Sequence, residues 1–467
     1  MVDWVLPDPR AFRTHVGLIQ SPGTVALKYG VPPWSEKHWA LLDRSLALLG
    51  EVGNKVIYIT MVRRTHLGNE HGMVRWVREA DGALRPDLSV AERYVAAAVE
   101  RLGKIPMVGV YCWEPKSSAG HFPSTSGKRD LSRGGDRDIL ISVRAGTDGK
   151  LTEAVGPKWG TPACREFWKR AMAGLRAILK KHGIEDSMML GISCDYVPTK
   201  TCMADLTAAA PAAKWIAHSH IYWSEIRGRP VGYLACVWGL WGTRDPARPK
   251  DYYGNNRYYG WKNPFRVVAF PRAGCPTYEL VRGKPPELHR FLAEGALVSA
   301  GRPNAKPPGV RGFGRLGADF WPVVEAKRSG RGVGRGMPRP ICGHYPEALG
   351  GGMALTFVKY HILSPGRDGA IATDLFEMLR EGLQEAEARI FIETALLDPA
   401  AKARLGDQLA ARCQRLLDER VRTFMRAAGK RNLLPADWLW YHGSDWQARS
   451  ERLYAAAAEV ARKLDAD

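Results

Sequence analysis

A lone carboxylate and a phenol follow a buried strand in the stretch GISCDYVPTK, residues 191–200. The apolar run from Met188 to Ile192 is typical of a buried strand, and Pro198 prevents its continuation. Asp195 and Tyr196 therefore stand at the carboxyl end of this strand. A carboxylate can serve as a general acid, a general base or a nucleophile, whereas a phenol with a pKa of about 10 is a poor acid at neutral pH.

Other side chains capable of binding or catalysis also follow predicted strands. In chain order they are Arg63, Arg64 and His66 after the second strand, Trp113 and Glu114 after the third, His218 and His220 at the fifth, Trp238 and Trp241 at the sixth, and Asp319 and Trp321 at the eighth. Indole rings stack on the C–H face of a sugar while their N–H groups find polar partners. Because 16 of the 467 residues are tryptophan, we expect sugar stacking by at least two of the four tryptophans at these ends.

The elements that position these residues alternate between short apolar runs and amphipathic stretches. The eight predicted strands are Phe12–Ile19, Lys55–Val62, Pro106–Cys112, Ser187–Cys194, Ala213–His218, Val231–Trp238, Phe265–Phe270 and Gly312–Phe320. Helices are predicted at Ser35–Leu49, Leu88–Leu102 and Thr161–His182, the first with Ser35 as its N-cap. Eight such units favour an α/β fold, a (β/α)8 TIM barrel, in which functional residues gather at the carboxyl ends of the strands.

The last third of the chain has a different pattern. After a strand-like run at Met353–Leu363, long charged helices are predicted at Thr373–Leu397, Pro399–Ala428 and Ser444–Leu464. We interpret residues 1–398 as the catalytic barrel and residues 399–467 as a C-terminal all-α extension. The stretches Ser117–Gly160 and Thr243–Lys262 are rich in glycine, proline and charge, and they predict long loop insertions.

Composition excludes several classes of protein. Hydrophobic residues make up 45% and charged residues 25% of the chain, which is ordinary for a folded globular protein. No apolar run approaches twenty residues and no signal peptide is visible, so we expect no membrane association. Localisation and oligomeric state are left open.

The sequence predicts no cofactor and no metal site. None of the eight cysteines forms a CxxC pair, which favours buried thiols over zinc ligands. His218 and His220 lack a third ligand at a familiar spacing. The stretch GFGRLG at residues 312–317 matches GxGxxG, but a dinucleotide site requires a helix directly afterwards, and Pro322 argues against one.

A net charge of +20 raises the question of an anionic partner. The Gly/Arg segment Arg328–Arg339, RSGRGVGRGMPR, could bind nucleic acid, yet no nucleic-acid motif accompanies it. A solvated loop is the simpler interpretation, and a nucleic-acid partner is not expected. A basic face around a cleft would also suit a sulfated or uronate-bearing glycan.

Four segments, in order, resemble the catalytic domain of glycoside hydrolase family 123. They are ALKYGVPPWSEKHW at residues 26–39, MVRWVREAD at 73–81, GISCDYVP at 191–198 and FEMLREGLQEAE at 376–387. The resemblance implies a TIM barrel and a retaining β-N-acetylgalactosaminidase in which the 2-acetamido group of the substrate attacks the anomeric carbon.

The resemblance also implies roles for particular residues. The family carries an Asp-Glu pair after its fourth strand, where Asp orients the acetamido group and Glu protonates the leaving oxygen. Asp195 falls on the first position and Tyr196 on the second. Either the proton donor comes from elsewhere on the rim, or the leaving group needs little help, or the chain only binds carbohydrate. Glu114, which ends the neighbouring strand, is the first candidate and Asp319 the second. If Asp195 and Glu114 act as a pair, a separation of about 5 Å would indicate retention and a longer one inversion.

The sequence therefore predicts a glycosidase of the family 123 type, acting on an N-acetylhexosamine or an anionic glycan. Asp195, Glu114, Asp319 and Tyr196 are the catalytic candidates. The substrate-binding candidates are Arg63, Arg64, His66, Trp113, His218, His220, Trp238, Trp241 and Trp321. The alternative is a non-catalytic or weakly catalytic barrel that binds carbohydrate.

Overall fold

The computed structural model describes residues 5–116, 135–144, 150–194, 196–219, 223, 225–236, 272–274, 286–298, 312–321, 362–428 and 443–465. Its strands, in chain order, are β1 (His15–Ile19), β2 (Val56–Thr60), β3 (Arg75–Arg78), β4 (Leu84–Asp87), β5 (Met107–Tyr111), β6 (Leu140–Arg144), β7 (Leu151–Val155), β8 (Met188–Ile192), β9 (Lys214–Ser219), β10 (Glu225–Ile226), β11 (Arg229–Cys236), β12 (Arg272–Gly274), β13 (Gly312–Gly317), β14 (Leu363–Gly366) and β15 (Gly369–Ala372). The fold is mixed α/β.

Long helices separate or follow these strands. They are α1 (Pro22–Tyr29), α2 (Glu36–Glu51), α3 (Ser89–Leu102), α4 (Pro162–Lys181), α5 (Lys200–Ala209), α6 (Glu287–Val298), α7 (Asp374–Leu397), α8 (Pro399–Ala428) and α9 (Trp446–Asp465), with 3-10 turns at Pro9–Ala11 and Glu185–Ser187. Ser35 caps α2 as predicted, because its hydroxyl oxygen accepts from the His38 N–H at 3.3 Å. Within α8, Gly406 has a non-helical backbone. In the described ranges, no helix has the length and apolarity needed to cross a bilayer.

In the described residues the central sheet contains nine strands, and the neighbours among the eight strands of its main path are all parallel. Their order is β1-β13-β12-β11-β9-β8-β5-β2, with β10 paired antiparallel to β11. Along β2, Tyr58 packs in one apolar cluster with residues of β5, β8 and β9, whereas Ile57 and Ile59 pack in the cluster that includes the helices. Burial on both faces explains why these strands read as continuous apolar runs.

The seam between β1 and β2 is made by one backbone hydrogen bond, from the Lys55 N–H to the Val16 carbonyl at 2.8 Å, and by the Asn54 side chain. These strands end the order of paired strands, and one isolated bridge, between Val16 and Asn54, joins them. The Asn54 side chain accepts from the Leu18 N–H at 2.8 Å and donates to the Val56 carbonyl at 2.8 Å. No continuous ladder joins β1 to β2 within the described residues, so a closed barrel is not established, whereas a parallel α/β arrangement is.

Most of the predicted elements are present. Seven of the eight predicted strands overlap an observed strand. Phe265–Phe270 lies outside the described residues, and Arg272–Gly274 occupies the corresponding place in the sheet. The GFGRLG stretch is strand β13, paired with β1, which agrees with rejecting it as a dinucleotide loop. Of the strand-like run Met353–Leu363, only its last two residues are described, and Leu363 begins β14.

The stretch Ser117–Gly160 was wrongly predicted to be only loop. It contains β6 and β7, which join β3 and β4 in a second sheet of order β4-β3-β6-β7. We call these four strands the accessory sheet. It packs against α4 through Trp76, whose ring stacks on Phe167 with centroids 3.7 Å apart. Its strands are only four or five residues long, which is why glycine, proline and charge around them dominated the pattern. The other predicted loop, Thr243–Lys262, lies outside the described residues.

The C-terminal helices are joined by buried charges. Glu294 of α6 accepts hydrogen bonds from Arg389 of α7 at 3.1 Å and from Arg420 of α8 at 2.9 Å. Arg420 also reaches Glu385 at 2.8 Å. Helices α7, α8 and α9 share a separate apolar cluster. The division between residues 1–398 and 399–467 remains a prediction.

Candidate functional site

Two tyrosines form hydrogen bonds across the interior of the sheet. Tyr58 of β2 lies 2.8 Å, oxygen to Nε2, from His218 of β9, and Tyr111 of β5 is hydrogen-bonded to Ser193 just after β8. Burial raises the pKa of Tyr58 well above its usual value, so its phenol stays protonated. His218, a predicted substrate-binding residue, is fully buried at the level of Tyr58. These contacts make a polar layer beneath the carboxyl ends of the strands.

Glu114 and His66 are joined at the ends of the neighbouring strands β5 and β2. One oxygen of Glu114 accepts from the His66 backbone N–H at 2.8 Å, and the other is hydrogen-bonded to His66 Nδ1. Both residues are buried, with 3% and 2% of their surfaces exposed. The predicted proton donor and a predicted substrate-binding residue therefore form one unit.

Arg63 and Arg64 converge on one carboxylate of the accessory sheet. Arg63 Nη1 lies 2.6 Å from Glu153 Oε2, and Arg64 Nη2 lies 3.2 Å from the same oxygen. Arg63 also donates to the Glu70 carbonyl at 2.9 Å. Arg64 has a φ of 53°, an uncommon value for a residue with a side chain. These contacts fasten the accessory sheet to the end of β2, a positioning role that the sequence did not reveal.

Asp319 is fully buried beyond the end of β13. Its Oδ1 accepts from the Ser21 N–H at 2.6 Å, just after β1. Burial raises the pKa of Asp319 from 3.8 to about 6. Its second oxygen has no hydrogen-bond partner among the described residues. The carboxyl group is thus tuned to hold a proton at mildly acidic pH, although its side chain does not open to solvent.

Trp113 and Trp321 are buried, with 2% and 1% exposure. Trp113 Nε1 donates to Asp136 at 2.8 Å, and Trp321 Nε1 donates to the Leu363 carbonyl at 2.7 Å. Protein covers both ring faces, which favours structural roles for them over the predicted sugar stacking. Trp238 and Trp241 lie outside the described residues.

The segment that carries Asp195 is anchored on both sides. Asp195 and His220 themselves lie outside the described residues, whereas Tyr196 is half-buried. Before them, Ser193 is held by Tyr111. After Tyr196, the Thr199 N–H donates to Asp136 at 3.0 Å, and Thr199 caps α5. Both described flanks of this position are therefore held by side-chain hydrogen bonds.

A cavity of about 390 Å³ opens beside the carboxyl ends of β1 and β2. Gln20 lines it just after β1, Tyr58 and Thr60 contribute from β2, Trp34 lies between α1 and α2, and Leu151 of the accessory sheet closes one side. Since Tyr58 is hydrogen-bonded to His218, the cavity is linked to the polar layer of the sheet interior.

Two segments that carry the family resemblance meet at this cavity. Lining residues from 26–39 are Ala26, Leu27, Val31, Pro33, Trp34 and His38, and Met73 begins the second segment. Sequence reasoning missed Trp34 as a site residue because it does not follow a strand. Its position in the stretch PPWS, in a short connection between two helices, is the sequence feature that could have identified it. Two of the four segments that carry the resemblance therefore line the same cavity.

Residues 20–225 match the family model described as glycoside hydrolase 123, catalytic domain. The match includes the cavity, the Glu114–His66 unit and the segment of Asp195. It confirms the resemblance recognised in the sequence over these residues, which include three of the four resembling segments.

Among solved structures, the chain is similar to a family 123 glycoside hydrolase from Clostridium perfringens, analysed for glycolipid glycan hydrolysis. The two are 11% identical with a TM-score of 0.55, and the match covers 99% of this chain and 71% of the other. At this identity the likeness shows the fold alone. A maltogenic α-amylase, AmyB from Thermotoga neapolitana, is 12% identical with a TM-score of 0.28, covering 61% and 65%, and carries no argument. No curated protein matches the sequence.

Proposed function

We propose that this chain hydrolyses a glycosidic bond at the carboxyl ends of its parallel strands, with Asp195 as the essential carboxylate. The observation that carries the proposal is the cavity beside β1 and β2, which is lined by segments of the family match and linked through Tyr58 to His218. An N-acetylhexosamine is the proposed substrate, because substrate assistance needs only one carboxylate to orient the acetamido group.

The proton donor is proposed to be Glu114 or Asp319, because Tyr196 is a poor acid at neutral pH. Glu114 is supported by its place on β5, which pairs with β8, and by the His66 side chain that could exchange a proton with it. Asp319 is supported by the burial that raises its pKa to about 6. Tyr196 would then orient Asp195 or bind a sugar hydroxyl.

We also propose that the sheet closes into a (β/α)8 barrel at the β1–β2 seam. The parallel order of the eight strands and the Asn54 contacts support closure. Closure would place β1 beside β2, so that β13, β1, β2 and β5 would follow one another around one rim. Asp319 and Glu114 would then approach the same central space from opposite sides of β2.

The test is hydrolysis of aryl α- and β-glycosides, including the β-N-acetylgalactosaminide, by the wild type and by Asp195→Asn. Aryl groups leave with little protonation, so they report a site even when its acid is weak. We expect activity on the N-acetyl sugar, and a loss of about 10²-fold or more in Asp195→Asn. Equal turnover by the two proteins would overturn the assignment of Asp195.

A carbohydrate-binding protein without catalysis is the second candidate, and Tyr196 at the general-acid position favours it. If this function is correct, no aryl glycoside is hydrolysed, while N-acetylgalactosamine still protects the chain against thermal unfolding. Protection by the sugar together with silence in the hydrolysis assay would select this alternative.

A further inference from the structure

We propose that Trp34 and Glu70 make the cavity a subsite that accepts an uncharged sugar ring and rejects a carboxylated or sulfated one. This inference rests on the proposed glycan-directed function. It opposes the expectation drawn from the net charge of +20, because it concerns only the groups that face the cavity.

Trp34 is held as a fixed platform. The backbone N–H of Trp34 donates to His38 Nδ1 at 2.8 Å, and His38 Nε2 donates to the Pro22 carbonyl at 2.9 Å. Both ring nitrogens are thereby assigned in a neutral imidazole, and burial lowers the pKa of His38 to about 4. Trp34 has a φ of 67°, and such strain in a bulky residue is typical of ligand sites. Its half-buried indole lines the cavity, where it can stack on the C–H face of a sugar.

Gln20 supplies an acceptor beside this platform. The residue is 5% exposed, and its Nε2 donates to the Leu42 carbonyl at 3.1 Å. Its Oε1 has no hydrogen-bond partner among the described residues, and a buried acceptor left in this way is costly. A sugar hydroxyl or amide N–H entering the cavity would satisfy it. Leu27 and Met73 line the same space and suit the apolar ring edge.

The charges around the cavity disfavour an anion. Among its described lining residues, Glu70 is the one with a formal charge, since burial lowers the pKa of His71 and keeps that ring neutral. Three arginines act on the lining residue His71, and each of them is offset by an acidic side chain. Arg63 Nη1 lies 2.6 Å and Arg64 Nη2 3.2 Å from Glu153, Arg63 Nη2 lies 3.8 Å from Glu70, and Asp87 acts on Arg75. A carboxylated sugar would therefore meet Glu70 without gaining a cation of its own.

The test is calorimetric titration of the full chain carrying Asp195→Asn, so that turnover does not interfere. The probes are methyl β-N-acetylgalactosaminide, methyl β-galactoside and methyl β-galacturonide. We expect the two neutral sugars to bind at least about tenfold more tightly than the uronate, a difference of about 1.4 kcal/mol. Equal or tighter binding of the uronate, or no binding by any probe, would overturn the inference.

Two variants assign the effect to its residues. Trp34→Ala should weaken the neutral sugars about tenfold, whereas Trp159→Ala, which removes a half-buried indole outside the cavity, should leave them unchanged. Glu70→Gln should reduce the difference in affinity between the galactoside and the galacturonide without weakening the binding of the galactoside. If Trp34→Ala binds the neutral sugars as tightly as the wild type, Trp34 is not a stacking platform. If Glu70→Gln leaves the difference in affinity between galactoside and galacturonide unchanged, Glu70 does not exclude anionic sugars.

The outcome is separable from that of the proposed function. Failure of hydrolysis with selective binding of neutral sugars would retain the subsite and remove the catalytic proposal. Hydrolysis of the N-acetyl sugar without discrimination against the uronate would do the reverse.

Discussion

Glu114 holds His66 through both of its carboxylate oxygens, one on the backbone N–H and one on Nδ1. This contact joins the ends of β5 and β2, which are paired over their full length from Val56–Met107 to Thr60–Tyr111. A carboxylate fixed in this way can either supply a proton or only position an imidazole, and the two roles predict different kinetics.

If Glu114 is the proton donor, the loss of rate caused by Glu114→Gln should depend strongly on the leaving group of the substrate. Turnover of a dinitrophenyl glycoside should stay near the wild-type rate, while an alkyl glycoside should lose about 10² to 10⁴. Steady-state rates on the two substrates, with the pH profile of kcat/KM, give the answer. His66→Gln serves as the control for lost positioning. Equal losses on both substrates would assign Glu114 a positioning role and make Asp319 the remaining donor candidate.

Asp319→Asn should stabilise the folded chain above pH 6. The folded pKa of about 6 lies above the ordinary value of 3.8 because the carboxyl group is buried, so the proton-bound form fits the site better. The corresponding stability is present below pH 3.8 and is lost as the pH rises through 6, a penalty on the order of 3 kcal/mol at neutral pH. Asparagine keeps the acceptor for the Ser21 N–H and removes the charge.

Urea unfolding of wild type and Asp319→Asn at several pH values between 4 and 8 measures this penalty. The matched control is Asp205→Asn, because Asp205 is equally buried but lies 3.1 Å from Arg165 and accepts from the Gly160 N–H. We expect that control to destabilise the protein. A wild-type stability that does not fall between pH 4 and 6 relative to Asp319→Asn contradicts the buried-acid assignment.

Asn54→Ala should weaken the β1–β2 seam. The substitution removes hydrogen bonds to the Leu18 N–H, the Leu18 carbonyl and the Val56 carbonyl and leaves buried groups unpaired. A loss of about 2 to 4 kcal/mol is expected in denaturant unfolding. Ser187→Ala, which removes a single buried bond to the Ile105 carbonyl, should cost only about 1 kcal/mol. Similar losses in the two variants would mean that the side chain is not what joins these strands.

Arg420→Met should destabilise the C-terminal helices by about 3 to 5 kcal/mol, because it strips Glu294 of one of its two arginine partners. Adding Glu294→Leu to that variant removes the stranded charge and should recover part of the loss. Urea unfolding of the wild type, both single variants and the double variant completes the cycle. Additive effects in the cycle would show that the two residues act independently.

The strands of the central sheet were predictable because they are buried on both faces. Runs such as VIYIT in β2 and MMLGI in β8 have all five residues buried, so neither shows alternation and both stand out from their surroundings. The closing contact was not predictable, since it depends on the orientation of one amide, Asn54, across two strand ends.

The candidate site was predictable only in part. The predicted strand ends identified Glu114, His66 and Asp319 as candidates. They could not show that the carboxyl groups of Glu114 and Asp319 are buried. Trp34 was missed because its role depends on a left-handed backbone in a loop, which PPWS does not specify. Trp113 and Trp321 were two of the four candidates for sugar stacking, and residue type alone does not show whether other parts of the protein cover an indole ring.

The accessory sheet draws its strands from two different connections, β3 and β4 after β2, and β6 and β7 after β5. Its central pairing, between β3 and β6, therefore spans the boundary between the two insertions. A relative that shortened one insertion alone would leave a sheet edge without its neighbour, so the two segments should lengthen, shorten or be exchanged together. For protein engineering, residues 61–88 and 112–160 should therefore be exchanged together as one unit, while the central sheet and its helices keep their own sequence.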